Sequence, residues 1–172
     1  MLRASAAQAG AVWAALAQQH GHDNSPVRAG ALKFFTAEEA REVEAVAAQI
    51  IPADETGGAR EAGVIGFIDL NLATYERELQ EPYREGLKML AQKSGGQFSA
   101  LSNERQIEVL RGIEKTPFFG MVRNHTVIGF FSHPQYGGNY ERIGWKLIGF
   151  EDAFAFQPPF GYYDSPEGQR GQ

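Results

Sequence analysis

The sequence predicts a mostly α-helical protein, with one compact domain of about five or six helices, a glycine- and aromatic-rich C-terminal segment and an extended tail. Three observations support this prediction. Apolar residues recur with the period of an α-helix in several segments, whereas no segment clearly alternates with the period of two that is typical of a strand. Proline and glycine residues separate those segments. The length of 172 residues fits one domain of ordinary size.

The composition limits the classes of function. Hydrophobic residues make up 43% and charged residues 22% of the chain, so a folded core is expected. The net charge of −5 and the lack of a basic block argue against a nucleic-acid partner. The chain contains no cysteine, which excludes disulfides, thiolate nucleophiles and cysteine-ligated metal centres within it. No apolar segment reaches the length of about 20 residues that a membrane-spanning helix needs.

Residues 1–31 form an N-terminal lead that has two interpretations. Residues 6–17 are rich in alanine and follow a single arginine, Arg3. This stretch is either the remnant of an export signal or an alanine-rich helix. A polar linker over residues 20–30 then leads into the helical domain, which we expect over residues 32–150.

The first two helices of the domain are predicted from local signals. Thr36, followed three residues later by Glu39, has the pattern of a capping box, and Pro52 ends the helix that it begins. A turn-rich loop follows. A second helix is expected over residues 60–79, which carry apolar side chains at helical spacing.

Three further helices are predicted in the second half of the domain. Pro82 opens the third helix, and the glycines at positions 95 and 96 stop it. Ser102 caps the fourth helix, and the fifth is expected over residues 118–131. Residues 136–143 are predicted to form a loop or tight turn, and residues 144–150 are too short to classify. The side of the fourth helix that is expected to be buried carries Ile107, Val109, Leu110 and Ile113.

The candidate chemical groups are few, and we predict no catalytic, cofactor-binding or metal-ligating residue. His125 and His133 are eight residues apart, lack a metal-binding helix spacing and need a third ligand, so a structural hydrogen-bonding role is favoured for His125. A small active site formed by these two histidines and a carboxylate is the alternative. The Gly137-Gly138-Asn139 motif lacks the spacing of a phosphate-binding loop, which favours a tight turn with positive φ.

Residues 118–150 and the tail over residues 151–172 favour docking over chemistry. They combine large aromatic side chains, which are common interface anchors, with glycines that allow close backbone approach. The alternative is that these aromatic residues close the core of the chain itself. The residues predicted to bind a partner are His133, Tyr136, Gly137, Gly138, Asn139, Tyr140, Trp145, Phe160 and Tyr162.

Three sequence blocks in order resemble the gluconate 2-dehydrogenase subunit 3 family. The first is FFTAEEAREVEAVAAQIIPADETGGAREAGVIGFID, and the second combines YREGLKML with FSALSNERQIEVL. The third is FF..VRNHTVIGFFSHPQYGGNYERIGWKLIGF, and its most specific part is HPQYGGNYERIGWKLIGF. The resemblance covers roughly residues 32–150.

This resemblance implies a non-catalytic small (gamma-type) subunit of a periplasmic or membrane-associated sugar dehydrogenase. The partner that it implies is a large flavoprotein of the glucose–methanol–choline type, which holds FAD and abstracts the hydride, and a multihaem cytochrome c often takes the electrons. Related pairs oxidise gluconate, glucose or the C3 hydroxyl of glycosides. The small subunit is expected to dock onto the flavoprotein, stabilise it and escort it for export, and the alternatives are a transient chaperone and an independent small enzyme.

The sequence departs from the family pattern in two respects. Many members carry a twin-arginine export signal, which is missing here, so the periplasmic location that the family implies lacks its usual signal. Some members join the two subunits by a disulfide, which a chain without cysteine cannot form.

Overall fold

Six α-helices form the part of the chain that the computed structural model describes, which is residues 32–153 with Ala155 and Phe160. No strand occurs among these residues, so the predicted mostly α-helical single domain is confirmed. The N-terminal lead and most of the tail lie outside the described residues. The helices are α1 (Ala37–Ile50), α2 (Val64–Thr74), α3 (Gln80–Ser94), α4 (Asn103–Ile113), α5 (Pro117–Phe131) and α6 (Ile143–Leu147).

The helices α1, α2 and α5 pack against one another in pairs at the centre of the domain. Helix α3 packs against α4 and α5, and α4 also contacts α1. Short 3-10 helices join several of these elements. Among the largest fully buried side chains of this centre are Val43, Ile68, Leu72, Val122 and Phe130.

The first helix begins and ends as predicted, whereas the second helix is shorter than predicted. The capping box of Thr36 and Glu39 is present, and α1 ends at Ile50. Helix α2 is shorter than the predicted range of 60–79 because Gly63 adopts a left-handed conformation (φ 64°), which a helix interior does not accommodate. At its other end the helix stops before Glu76, whose φ and ψ of −121° and 49° are not helical.

The later helices follow the prediction with three differences. Helix α3 begins at Gln80, so Pro82 lies inside the first turn, where its missing N–H needs no partner. On α4, the predicted burial of Ile107 is wrong, since 36% of this residue is exposed. Gln106 is buried instead and donates hydrogen bonds to the carbonyl oxygens of Phe98 and Leu101. The five residues of α6 were too few to show a period in the sequence.

A buried carboxylate on α2 holds the segment that leads into α1. Asp69 is 3% exposed, and its two oxygens accept hydrogen bonds from three consecutive backbone N–H groups. The donors are Lys33 at 2.7 Å, Phe34 at 3.0 Å and Phe35 at 2.9 Å. Since Thr36 caps α1 directly after this segment, one side chain of α2 fixes the start of α1.

Helix α1 carries a second buried carboxylate, which has fewer polar partners than Asp69. Glu44 is buried, and its nearest cation is the guanidinium of Arg60 at 3.9 Å. Burial raises the pKa of Glu44 above its ordinary value, Arg60 lowers it in part, and the neighbouring charge of Glu61 raises it further. The protonated form of this carboxyl group is therefore more favoured in the folded state than in the unfolded state.

We expect Asp69→Ala to lower the free energy of unfolding by about 3 kcal/mol, because it leaves backbone N–H groups without their acceptor. Asp69→Asn keeps one acceptor oxygen and is expected to cost less. Urea denaturation followed by circular dichroism measures both. Asp54→Ala is the charge-matched control in an exposed loop. Equal stability of Asp69→Ala and this control would contradict the role of Asp69.

We expect the stability of Glu44→Gln relative to the wild type to depend on pH. The native pKa of Glu44 is raised, so the wild type loses stability as the pH rises from the ordinary pKa of 4.5 through the native value. The variant is therefore expected to gain relative stability as the pH rises above the ordinary pKa of 4.5, with little difference below it. Thermal unfolding at several pH values measures this difference. Glu38→Gln, an exposed change on the same helix, is the control.

Candidate functional site

After α5 the chain folds back along α2 and α5 in a segment that we call the hook, residues 132–150. Its closest contacts occur where glycine removes the side chain. A Cβ atom on Gly138 would lie 2.2 Å from the carbonyl oxygen of Gly129, and one on Gly144 would lie 2.0 Å from that of Phe130. Any side chain at either position would therefore push the hook away from α5.

The side chain of Asn139 stabilises the hook through two hydrogen bonds. It is fully buried, its Oδ1 accepts a hydrogen bond from the N–H of Gly144 at 2.8 Å, and its Nδ2 donates to the carbonyl oxygen of Ser132 at 2.8 Å. Its φ of 50° is left-handed, a conformation that asparagine tolerates better than most residues. Glu141 and Arg142 also have positive φ, so the hook contains a cluster of strained backbone.

Trp145 anchors the far end of the hook. Its indole N–H donates to the carbonyl oxygen of Phe131 at 2.7 Å, and only 7% of the residue is exposed. The indole ring meets the ring of His133 at 5.5 Å and that of Phe150 at 5.0 Å between centroids. The interpretation that aromatic residues close the core therefore holds for Trp145.

The residues predicted to bind a partner divide into two groups in the structure. Gly138, Asn139 and Trp145 are buried within this chain, so packing inside the domain accounts for them without a partner. His133, Tyr136, Gly137, Tyr140 and Phe160 are exposed. Tyr162 lies outside the described residues. Contact of any of these residues with a partner stays a prediction.

An apolar groove of about 360 Å³ opens between the end of α2, the end of α5 and the first turn of the hook. We call it the Tyr75 groove, since Tyr75 is its most exposed member at 73%. No sequence pattern indicated that Tyr75 and Ile128 lie at a surface groove, because their exposure depends on how the two helices pack and not on their own periodicity. The groove is lined by Phe67, Leu70, Asn71, Tyr75, Ile128, Ser132, His133 and Tyr136.

A second groove, of about 290 Å³, lies between α1, α4 and α5. Its lining includes the exposed Ile107 and two arginines, Arg111 and Arg123. It shares no lining residue with the Tyr75 groove. The two grooves are therefore separate features of the surface.

A polar bridge runs from the core to the Tyr75 groove, and His125 is its centre. The Nδ1 of His125 lies 2.7 Å from the hydroxyl of Tyr83, and its Nε2 lies 2.7 Å from Oε2 of Glu76. The Glu76 carboxylate also accepts a hydrogen bond from the side-chain amide of Asn71, which lines the groove. The predicted structural hydrogen-bonding role of His125 is confirmed by these contacts.

The acceptor character of the Glu76 carboxylate assigns the protons of this bridge. Nε2 of His125 carries the hydrogen that Glu76 accepts, and in the neutral imidazole this leaves Nδ1 to accept from the Tyr83 hydroxyl. Burial, together with the charge of Glu76, raises the pKa of Tyr83 above its usual range, so this hydroxyl keeps its proton. Every polar group of the imidazole is thereby satisfied inside the domain.

The two histidines that the alternative active site requires have separate partners. His125 is 3% exposed, so its ring offers no accessible edge to a substrate. His133 is exposed, accepts a hydrogen bond from the N–H of Gln135 and lies 3.9 Å from Asp152. Across residues 32–153 no group of three or more histidine, aspartate or glutamate side chains could hold a metal ion. No helix in that range is long and apolar enough to cross a membrane.

We expect Asn139→Ala to lower the free energy of unfolding by about 3 kcal/mol, because two buried backbone groups lose their partners and alanine resists positive φ. Asn139→Gly is expected to cost about 1 kcal/mol less, since glycine accepts this φ. Urea denaturation followed by the fluorescence of Trp145, in a Trp13→Phe background, measures the release of the hook. Asn124→Ala, an exposed change on α5, is the control. A stability of Asn139→Ala equal to that of the control would show that the hook does not depend on this side chain.

The family model described as gluconate 2-dehydrogenase subunit 3 matches residues 37–152, about two thirds of the chain. No curated protein and no solved structure matches the chain significantly. The matched range contains all six helices and the hook. The resemblance seen in the sequence blocks is thus confirmed, and the chain belongs to the gluconate 2-dehydrogenase subunit 3 family.

Proposed function

We propose that this chain is the non-catalytic small subunit of a heteromeric FAD-dependent sugar or polyol dehydrogenase, of the gluconate, glucose or glycoside 3-dehydrogenase type. It docks onto a large flavoprotein subunit of the glucose–methanol–choline type and stabilises it. Membership of the family supports the general part of this proposal, which is that the chain is a subunit of a multi-subunit dehydrogenase. On this proposal the FAD and the sugar site belong to the large subunit, as in the family, where a multihaem cytochrome c often takes the electrons.

The observation that carries the proposal is the Tyr75 groove. Three of its lining residues, Tyr75, Ile128 and Tyr136, expose 73%, 46% and 44% of their surface. Apolar and aromatic side chains gathered around a groove mark a surface that gains free energy when a partner covers it, because the apolar area leaves water. Tyrosine suits such a surface, since it buries a large area and loses few rotamers.

The apolar surface continues from the groove along the hook. His133, which lines the groove, contacts Trp145, and Trp145 contacts the half-exposed ring of Phe150. Leu147 and Ile148, just before Phe150, are also exposed. The docking surface that we propose therefore comprises the Tyr75 groove and the end of the hook.

The side chains that could take part in catalysis, His125 and Tyr83, support a structural role for this chain. His125 is enclosed, and both of its nitrogens are engaged within the domain. The raised pKa of Tyr83 keeps its hydroxyl protonated and unsuited to act as a base. A partner that binds the folded form of such a subunit is stabilised in turn, because the two equilibria are linked.

Export with the flavoprotein is the part of the proposal that depends on residues 1–31. We propose a periplasmic complex on the strength of the family alone. A chain that escorts the flavoprotein and then leaves it is the competing role. The two roles differ in one measurable respect, which is whether the small subunit stays in the purified complex.

We expect co-expression with the cognate large flavoprotein subunit to give a stoichiometric complex that shows a flavin absorbance spectrum. Pull-down, gel filtration and dye-linked oxidation of gluconate, glucose and a glycoside test this. Activity of the flavoprotein should fall when the small subunit is omitted. A complex without this chain after gel filtration would support the escort role, and dye-linked oxidation by this chain alone would support an independent enzyme.

We expect Ile128→Lys to weaken docking by at least about tenfold, because it places a charge in the apolar wall of the Tyr75 groove. Lysine suits this position near the C-terminal end of α5, so the fold should persist. Ile107→Lys is the matched control, an exposed isoleucine in the other groove. Binding is measured by titration of the immobilised flavoprotein. Weaker docking of Ile107→Lys with normal docking of Ile128→Lys would place the docking surface at the other groove.

A further inference from the structure

The polar bridge joins the two walls of the Tyr75 groove. One wall is the end of α2, with Asn71 and Tyr75, and the other is the last part of α5, with Ile128 one turn after His125. Glu76 follows the end of α2 and contacts His125 of α5 at 2.7 Å. Within residues 32–153, no side chain of α2 itself forms a hydrogen bond with α5.

The bridge reaches the end of α2 through Glu76. The carbonyl oxygen of Asn71 accepts hydrogen bonds from the N–H groups of Tyr75 at 2.9 Å and of Glu76 at 3.0 Å. The side chain of Asn71 donates to the same carboxylate that His125 reaches. The backbone turn that presents Tyr75 to solvent is therefore closed on itself and hydrogen-bonded to α5 through the Glu76 carboxylate.

The buried end of the bridge leaves His125 little freedom. Tyr83 is fully buried, and its ring stacks on the imidazole with the planes 6° apart and the centroids 5.7 Å apart. The Tyr83 hydroxyl fixes the direction of Nδ1, and this direction in turn aims Nε2 at Glu76. A core residue thus determines where a carboxylate at the surface is held.

We propose that the bridge of Tyr83, His125, Glu76 and Asn71 is a positioning device that holds the α2 wall of the Tyr75 groove in the conformation that docking requires. The bridge residues act through Tyr75 and Asn71 and need not touch the partner. The docking part of this inference rests on the proposed function. The conformational part does not, because it concerns the chain alone.

The test on the chain alone is amide hydrogen exchange measured residue by residue by NMR on the full-length protein. Glu76→Ala removes the carboxylate, so the amide of Tyr75 should exchange about tenfold faster, while the core amides of Val43 and Val122 keep their protection. Glu76→Gln keeps one acceptor oxygen and should stay within about threefold of the wild type. Glu78→Ala, the same charge change at a neighbouring exposed position, should leave Tyr75 unchanged. Unchanged exchange of Tyr75 in Glu76→Ala would overturn the proposal, and so would equally faster exchange at Val43 and Val122.

The second arm measures the docking of the same variants to the flavoprotein. Glu76→Ala should bind about tenfold more weakly than the wild type, Glu76→Gln should largely restore binding, and Glu78→Ala should bind normally. Normal docking of Glu76→Ala in spite of faster exchange at Tyr75 would overturn the role of the bridge in docking. Absence of docking by the wild type would overturn the proposed function instead, and the exchange data would then decide the conformational part.

Discussion

The close packing of α2 against α5 is the constraint on which the rest of this structure depends. Gly129 makes it possible, since a Cβ atom at that position would lie 2.9 Å from the ring of Phe67. The absence of a side chain lets the Phe67 ring lie directly on the backbone of α5. This contact sets the distance between the two helices, which in turn sets the width of the Tyr75 groove and the surface on which the hook rests.

Three buried polar side chains then give the domain its specific arrangement. Asp69 ties the segment before α1 to α2, His125 ties α5 to α3 and to the end of α2, and Asn139 ties the hook to itself and to the end of α5. Each polar side-chain atom of these three residues has at least one hydrogen-bond partner, as buried polar groups require. A helical core held only by apolar contacts tolerates small shifts between helices, whereas these bonds select one relative position. The docking surface that we propose is built on the elements that they position.

The hook illustrates how a segment rich in aromatic residues and glycine can serve both the core and the surface. Its glycines bring the backbone against α5, and Trp145 is covered as a result. The hook also leaves Tyr136 and Phe150 half exposed on its outer side. A partner that covers this face would therefore rest on a surface whose inner side is already fixed by the fold.

The sequence by itself determined the helical class, several helix ends and the family. The signals for these are local: Thr36 and Glu39 cap α1 within three residues of each other, and Ser102 caps α4. The family blocks are likewise contiguous stretches of sequence. Adjacent residues carry such information, because hydrogen bonds within one turn decide where a helix begins.

Only the tertiary structure decided which aromatic residues are buried and where the groove lies. Trp145 and Tyr136 belong to the same aromatic and glycine-rich segment, yet one is covered and the other half exposed. The partners of His125 are about fifty and forty residues away in the chain, so no local spacing reveals them. Their proximity results from the packing of helices, which sums many weak contacts between distant residues. For the same reason Ile107 has a helical spacing that predicts burial but lies at the surface, since no neighbouring helix covers it fully.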